Sequence, residues 1–291
     1  MSGSEPPQPM RSESPPGRRA AAVRPMSIGM AAGWVAGTTY LFIVLLTLSV
    51  AAGAGPTDRV NLFACQAAGY LAGLFLILRV HAPDVSVRHF LGMRGTHPGF
   101  YAVAVLLGVA LQVPVNELFG LIEARYPVPS TQQEFLEVLA QASTAKRAAI
   151  GFIMIALVPL IEEMLFRGAI TTPLRRRYGS AMVVGVTAVC FAVAHIQWQL
   201  FVPILLVGVS AGWVRAASGS IVPCLLLHAT FNAIPFYAML MEAGKPPPPN
   251  EPAPIGVVLA TTAGLALLLT IVHVLGARSE DAARARENDL Q

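Results

Sequence analysis

Apolar stretches long enough to cross a bilayer recur eight times along this chain: Ser27–Gly53, then 61–80, 98–121, 147–172, 180–197, 199–217, 219–241 and 254–276. A helix needs about 20 apolar residues to span the hydrocarbon core. No other feature restricts the fold as much, because a backbone in lipid must satisfy its own hydrogen bonds. The expected fold is an all-α polytopic helix bundle with about eight transmembrane helices. Composition agrees. The chain of 291 residues is 55% hydrophobic and only 12% charged, against about a quarter charged in soluble domains. Its net charge of +4 gives no reason to expect a nucleic-acid partner, because the basic residues sit between apolar segments. The weakest of the eight are 180–197 and 199–217, which are short and nearly contiguous; one is expected to be tilted or partly re-entrant.

The remaining segments divide the chain. Residues 1–27 are rich in Pro, Ser, Gly and Arg and read as a disordered cytoplasmic tail. Residues 28–276 form the membrane-embedded domain, and 277–291 a charged C-terminal tail. The first apolar run is too long for a signal-peptide core of about 7–15 residues, although "AAGA" at 51–54 faintly resembles a cleavage site. The stretch 131–142 places Phe135, Leu136 and Leu139 at helical spacing and reads as an amphipathic interfacial helix. The proline-rich 244–254 makes a stiff loop. There is no internal repeat.

Basic residues alternate between the two sides that eight crossings create. One side collects Arg11, Arg18, Arg19 and Arg24, then Arg79, Arg88 and Arg94, then Arg175, Arg176 and Arg177, then Arg215, then Arg278, Arg284 and Arg286. The other carries Arg59, then Arg125, Lys146 and Arg147, then Lys245. The alternation predicts both termini in the cytoplasm. The Ala- and Arg-rich composition suggests a bacterial cytoplasmic membrane.

Within the fourth apolar run stands "LIEEMLFRG". An ionisable side chain at the bilayer centre costs about 2.5–3.5 kcal/mol on the translocon scale, so Glu162, Glu163 and Arg167 should face the bundle interior. Glu163 and Arg167, at i and i+4, are stacked on one helix face and predict an ion pair. Glu162, rotated by about 100°, has no partner on its own helix. Such a pair alone is compatible with a structural pin between helices. Later crossings add His195, four residues after Phe191, and His228, four before Asn232. A carboxylate, two imidazoles and an amide suffice for amide hydrolysis: a general base for water and donors for the oxyanion. The zincin H-E-x-x-H motif is missing, yet Glu and His are acceptable zinc ligands. The other histidines, His81, His89, His97 and His273, read as structural or interfacial. Cys65, Cys190 and Cys224 lie in apolar runs with no metal or redox spacing and read as packing residues. Cys224, four before His228, also leaves open a thiol nucleophile.

Taken in order, E-E-x-x-x-R, F-x-x-x-H and H-x-x-x-N resemble the CAAX prenyl protease and bacteriocin-processing (CPBP, Abi) family of intramembrane endopeptidases, with the motif core at about 148–240. The resemblance implies a bundle with a central polar cavity, and Glu162 and His195 activating a water. It further implies His228 and Asn232 holding the oxyanion, with Glu163, Arg167 and Phe191 supporting the site. It implies a membrane-associated protein or peptide as substrate. No cofactor is required in this reading, and zinc is the possible alternative. Two other functions fit the same residues: a non-catalytic scaffold or immunity protein of the same fold, and a proton-coupled transporter. The lack of inverted repeats and of paired broken helices speaks against the transporter. One tension is geometric: Glu162 falls mid-run, whereas His195 falls near the end of its segment.

Overall fold

The computed structural model describes residues 22–55, 58–127, 131–245 and 252–288. They form ten helices: α1 (Ile28–Ala51), α2 (Arg59–His81), α3 (Val87–Leu91), α4 (Pro98–Arg125), α5 (Thr131–Gln141), α6 (Thr144–Leu174), α7 (Ser180–Ala194), α8 (Trp198–Ser218), α9 (Val222–Glu242) and α10 (Ile255–Asn288). No strand occurs among the described residues. Seven helices (α1, α2, α4, α6, α8, α9 and α10) are long and apolar enough to cross a membrane. Large apolar side chains such as Leu121, Phe152, Leu259 and Leu267 are 61–71% exposed, which suits a surface facing lipid.

The eighth apolar run gives a shorter helix. With 15 residues, α7 extends only about 22 Å, less than the hydrocarbon core of about 30 Å. Its direction is still that of a crossing. Backbone bonds join Arg24 to His81 and Met26 to Pro173, so α1 begins at the end of the bundle where α2 and α6 finish. At that same end the Arg94 side chain reaches Gly219, and Gly276 packs on Ala217. At the opposite end, Trp198 stacks edge-on with Tyr126 at 4.9 Å. The chain therefore traverses the bundle eight times, and α1 starts at the end where α10 passes Gly276.

The fold begins before the apolar run does. Val23 and Met26 are 8% and 0% exposed within the core cluster built on α1, α2, α3, α6 and α7; the stretch read as a tail to residue 27 is thus anchored from Val23, and residues 1–21 lie outside the described residues. Most of the proline-rich loop, 246–251, does as well. The helix α5 forms as its periodicity predicts. Its apolar face is covered by protein, because Phe135 and Leu139 pack on Ile150 and Phe236. Arg147 closes its end by donating from Nε to Leu139 O (2.8 Å) and from Nη2 to Ala140 O (2.9 Å), satisfying carbonyls that a helix end leaves open.

A second apolar cluster joins α4, α8, α9 and α10. Small residues let helices approach where polar or backbone atoms must meet: a Cβ on Gly108 would lie 2.7 Å from Leu227 O, and one on Gly208 3.1 Å from the Ala188 Cα. Prolines inside helices are compensated by side chains from neighbours. Pro235 in α9 cannot donate to Phe231 O; the Gln112 side chain of α4 donates there instead, at 3.0 Å. The widened π-helical turn Ile153–Leu157 precedes Pro159 in α6. There the Asn232 side chain donates to Met154 O at 3.0 Å. In lipid an unsatisfied carbonyl would cost several kcal/mol, on the order of a lost hydrogen bond.

Candidate active site

The site lies on α6, whose Ile161, Leu165 and Phe166 belong to the first cluster. Glu162 and Glu163 are 4% and 0% exposed and Arg167 is 0%. The predicted ion pair is present: Arg167 Nη1 donates to Glu163 Oε1 at 3.1 Å. The guanidinium also donates from Nη2 to Gly208 O of α8 at 3.1 Å and stacks on the Phe191 ring at 4.3 Å. A second π-helical stretch, Met164–Ile170, carries Arg167. Widened turns of this kind are frequent at functional sites.

Glu162 obtains its partners from two other helices. Gln66 of α2 donates from Nε2 to Glu162 Oε1 at 2.8 Å. His228 of α9 brings Nε2 to 3.7 Å from Glu162 Oε2. The other ring nitrogen of His228, Nδ1, donates to Glu163 Oε1 at 3.0 Å, since an ionised carboxylate can only accept. The imidazole is thus held between two adjacent carboxylates, oriented by one and separated from the other by more than a hydrogen-bond length. Sequence reading missed Gln66. It was visible as a lone amide in the apolar run "FACQAAGYLAG", where a polar side chain needs a partner.

His195 caps the C-terminal end of α7, and the shortness of α7 removes the depth conflict. Glu162 is about 18 Å from Leu174 along α6, and His195 is about 22 Å from Ser180 along antiparallel α7, at 1.5 Å per residue. The two stand at comparable depth. His195 Nδ1 donates to Phe191 O at 2.8 Å, which leaves Nε2 as the free ring nitrogen. The following residue, Ile196, has φ +67°, a left-handed conformation that costs a β-branched residue about 1–3 kcal/mol. Phe191 links the two imidazoles: its ring lies edge-on to His195 at 4.8 Å and to His228 at 5.8 Å.

The structure therefore brings Glu162, Glu163, Arg167, Phe191 and His228 into one buried cluster. It leaves His195 and Asn232 half-buried on its margin, with no direct His195–Glu162 ion-pair contact among the described residues. Asn232 is one turn from His228 along α9 and uses one amide N–H on Met154 O, so its second N–H is the one left for a ligand. Cys224 is fully buried and donates its thiol to Ala211 O (3.3 Å) and Ser220 O (3.6 Å), as a packing residue does. His81 donates to Arg24 O, His97 caps Gly99 N, and His273 stacks near Trp213; none joins the cluster. Among the described residues, no group of three or more His, Cys, Asp or Glu side chains is arranged to hold a metal ion.

Residues 144–234 match the family model described as type II CAAX prenyl endopeptidase Rce1-like. That segment contains all three motifs, so the family resemblance read from them holds for it. A curated Escherichia coli protein, described as an uncharacterized 24.3 kDa protein, is 31% identical over 133 residues. The match covers 44% of this chain and 54% of that protein, so the similarity spans about half of the relative's length. No solved structure matches the chain.

Proposed function

We propose that this chain is a CAAX-protease-type intramembrane endopeptidase that hydrolyses a peptide bond of a membrane-associated protein or peptide. The observation that carries the reading is the convergence on Glu162: an amide from α2 donates to one oxygen of this buried carboxylate, and an imidazole from α9 faces the other across 3.7 Å. A purely structural carboxylate would be paired with a cation, as Glu163 is. Glu162 has no Lys or Arg at ion-pair distance among the described residues, and the His228 ring faces it across 3.7 Å.

In this mechanism Glu162 takes a proton from water as the water oxygen attacks the scissile carbonyl carbon. His195, with its free Nε2, shares that proton. His228 in its protonated form donates from Nδ1 to Glu163 and from Nε2 towards the developing oxyanion, and the spare Asn232 N–H is the second donor. The tetrahedral intermediate then collapses, and the proton held by Glu162 passes to the departing amine. Glu163 and Arg167 keep the His228 ring oriented. No metal is used in these steps. The arginine-rich end of the bundle faces the cytoplasm by the positive-inside bias, which puts both termini there.

The test uses the full chain in lipid nanodiscs against a library of membrane-associated peptides, with new peptide termini read by mass spectrometry. Wild type is expected to cleave at an unchanged rate after extensive chelation. Asn232→Ala is expected to retain weak activity, reduced by about 10²–10³-fold, the usual loss for one oxyanion donor. Activity lost on chelation and restored by zinc would replace this mechanism with a metal-dependent one. A pH-dependent ion flux in proteoliposomes without cleavage would favour the transporter instead.

Gln66 gives a second test. Gln66→Leu removes the hydrogen bond that fixes Glu162 while keeping a side chain of similar size. Its turnover is expected to fall by up to about 10²-fold, the scale on which small misplacements act. KM should change little, because the amide contacts the carboxylate and not the proposed peptide. An unchanged turnover would remove Gln66 from the site.

A further inference from the structure

At the end of the bundle where α2, α6 and α8 finish, a cleft of about 540 Å³ is lined by Arg88, His89, Arg94, Arg175, Arg176 and Arg215. No Asp or Glu lines it. Among the described residues none of these arginines has a carboxylate at ion-pair distance. The positive-inside bias accounts for basic residues in these loops. It does not account for how they are held.

Three of the guanidiniums are fixed through the same atom. Arg88 donates from Nε to Met93 O at 3.0 Å, Arg94 to Gly219 O at 2.9 Å, and Arg215 to Arg167 O at 2.8 Å. In each case the two Nη groups have no hydrogen-bond partner among the described residues. These are the edges that match phosphate oxygens in the guanidinium fork. The backbone is shaped to permit the arrangement. Gly92 and Gly219 have φ +70° and +66°. A Cβ on Gly92 would lie 2.5 Å from Arg215 Nη2, and one on Gly219 would collide with Arg94 Nη2. Arg215 is 6% exposed, so a charge is kept largely buried beside others of its own sign. Like charges gathered in this way repel, and an anion relieves the repulsion. The volume falls within the range of about 300–1,000 Å³ usual for small-ligand clefts.

We propose that this cleft is a binding site for a phosphate-bearing anion, either the headgroup of an anionic phospholipid or a soluble phosphate. Through Arg215 the occupied cleft braces the backbone of Arg167, whose side chain holds Glu163. The proposal does not depend on the hydrolytic reading.

The experiment measures thermal unfolding midpoints of the full chain in nanodiscs. One arm compares phosphatidylcholine discs with discs that also contain phosphatidylglycerol. The other titrates inorganic phosphate into phosphatidylcholine discs, against chloride at matched ionic strength. A ligand of the native state raises the midpoint. Arg175→Gln and Arg176→Gln each remove one exposed cleft arginine that makes no side-chain hydrogen bond among the described residues. Arg177→Gln removes the same charge from the same turn, outside the cleft. Wild type is expected to be stabilised in at least one arm; a shift only with phosphatidylglycerol identifies a lipid, and a shift with phosphate a soluble anion. Each cleft variant should raise the half-saturating concentration about fivefold, and Arg177→Gln should leave it within about twofold. No shift beyond chloride in either arm overturns the proposal. So does an equal loss in Arg177→Gln, which would mean unspecific surface charge only.

Discussion

Replacing Arg167 with Met is expected to lower the stability of the folded protein by about 3–5 kcal/mol, the usual cost of removing one partner of a buried ion pair. Arg167 is fully buried and makes three contacts at once: Glu163 Oε1, Gly208 O and the Phe191 ring. The Met side chain fills part of the space and supplies no donor. Glu163 then keeps only His228, and Gly208 O loses its side-chain donor. Replacing Glu163 with Leu in the same chain removes the unpaired carboxylate, so the double variant should be more stable than Arg167→Met alone. The recovery should be partial, since His228 Nδ1 remains unsatisfied at about 1–3 kcal/mol and Gly208 O keeps only its helical donor. Arg167→Lys should fall between wild type and Met, because it restores a charge without the fork. Folded yield after detergent extraction and the unfolding midpoint in the same detergent report the order. Equal values for Arg167→Met and the double variant would mean that the two residues are not energetically coupled.

The ion pair was legible from spacing alone, because i and i+4 on a helix decide the contact before any tertiary fold exists. The eight traversals were legible from apolar run length, although the 180–197 run overstated its helix. It ends at Ala194, and hydropathy does not register a helix end among apolar residues such as Ile196. That early stop is what brings His195 to the depth of Glu162. The partners of Glu162 were harder to see. Gln66 is about a hundred residues away and carries no motif; only the cost of a lone amide in lipid pointed to it. The His228 tautomer depends on Glu163, which reading the motifs one by one assigned to Arg167. Asn232 was read as an oxyanion donor, and its bond to Met154 O follows from Pro159 on another helix, a tertiary dependence that no local pattern encodes.

Glu162→Gln is expected to abolish peptide hydrolysis while leaving the fold intact. The substitution keeps the shape of the side chain, and its carbonyl can still accept from Gln66 Nε2. What is lost is the ability to take a proton from water. General-base catalysis contributes about 10²–10⁴-fold, so cleavage should drop by at least that range. The fold should be unaffected, because Glu162 is not the anionic member of the Glu163–Arg167 pair. A scaffold or immunity protein would behave differently, since its biological activity would survive the change. The direct measurement places wild type and Glu162→Gln side by side in nanodiscs, with the same library of membrane-associated peptides and the same mass-spectrometric readout of new termini. The account predicts cleavage by wild type, and none by a Glu162→Gln variant that unfolds at the wild-type midpoint. A Glu162→Gln variant that cleaves as fast as wild type would contradict it.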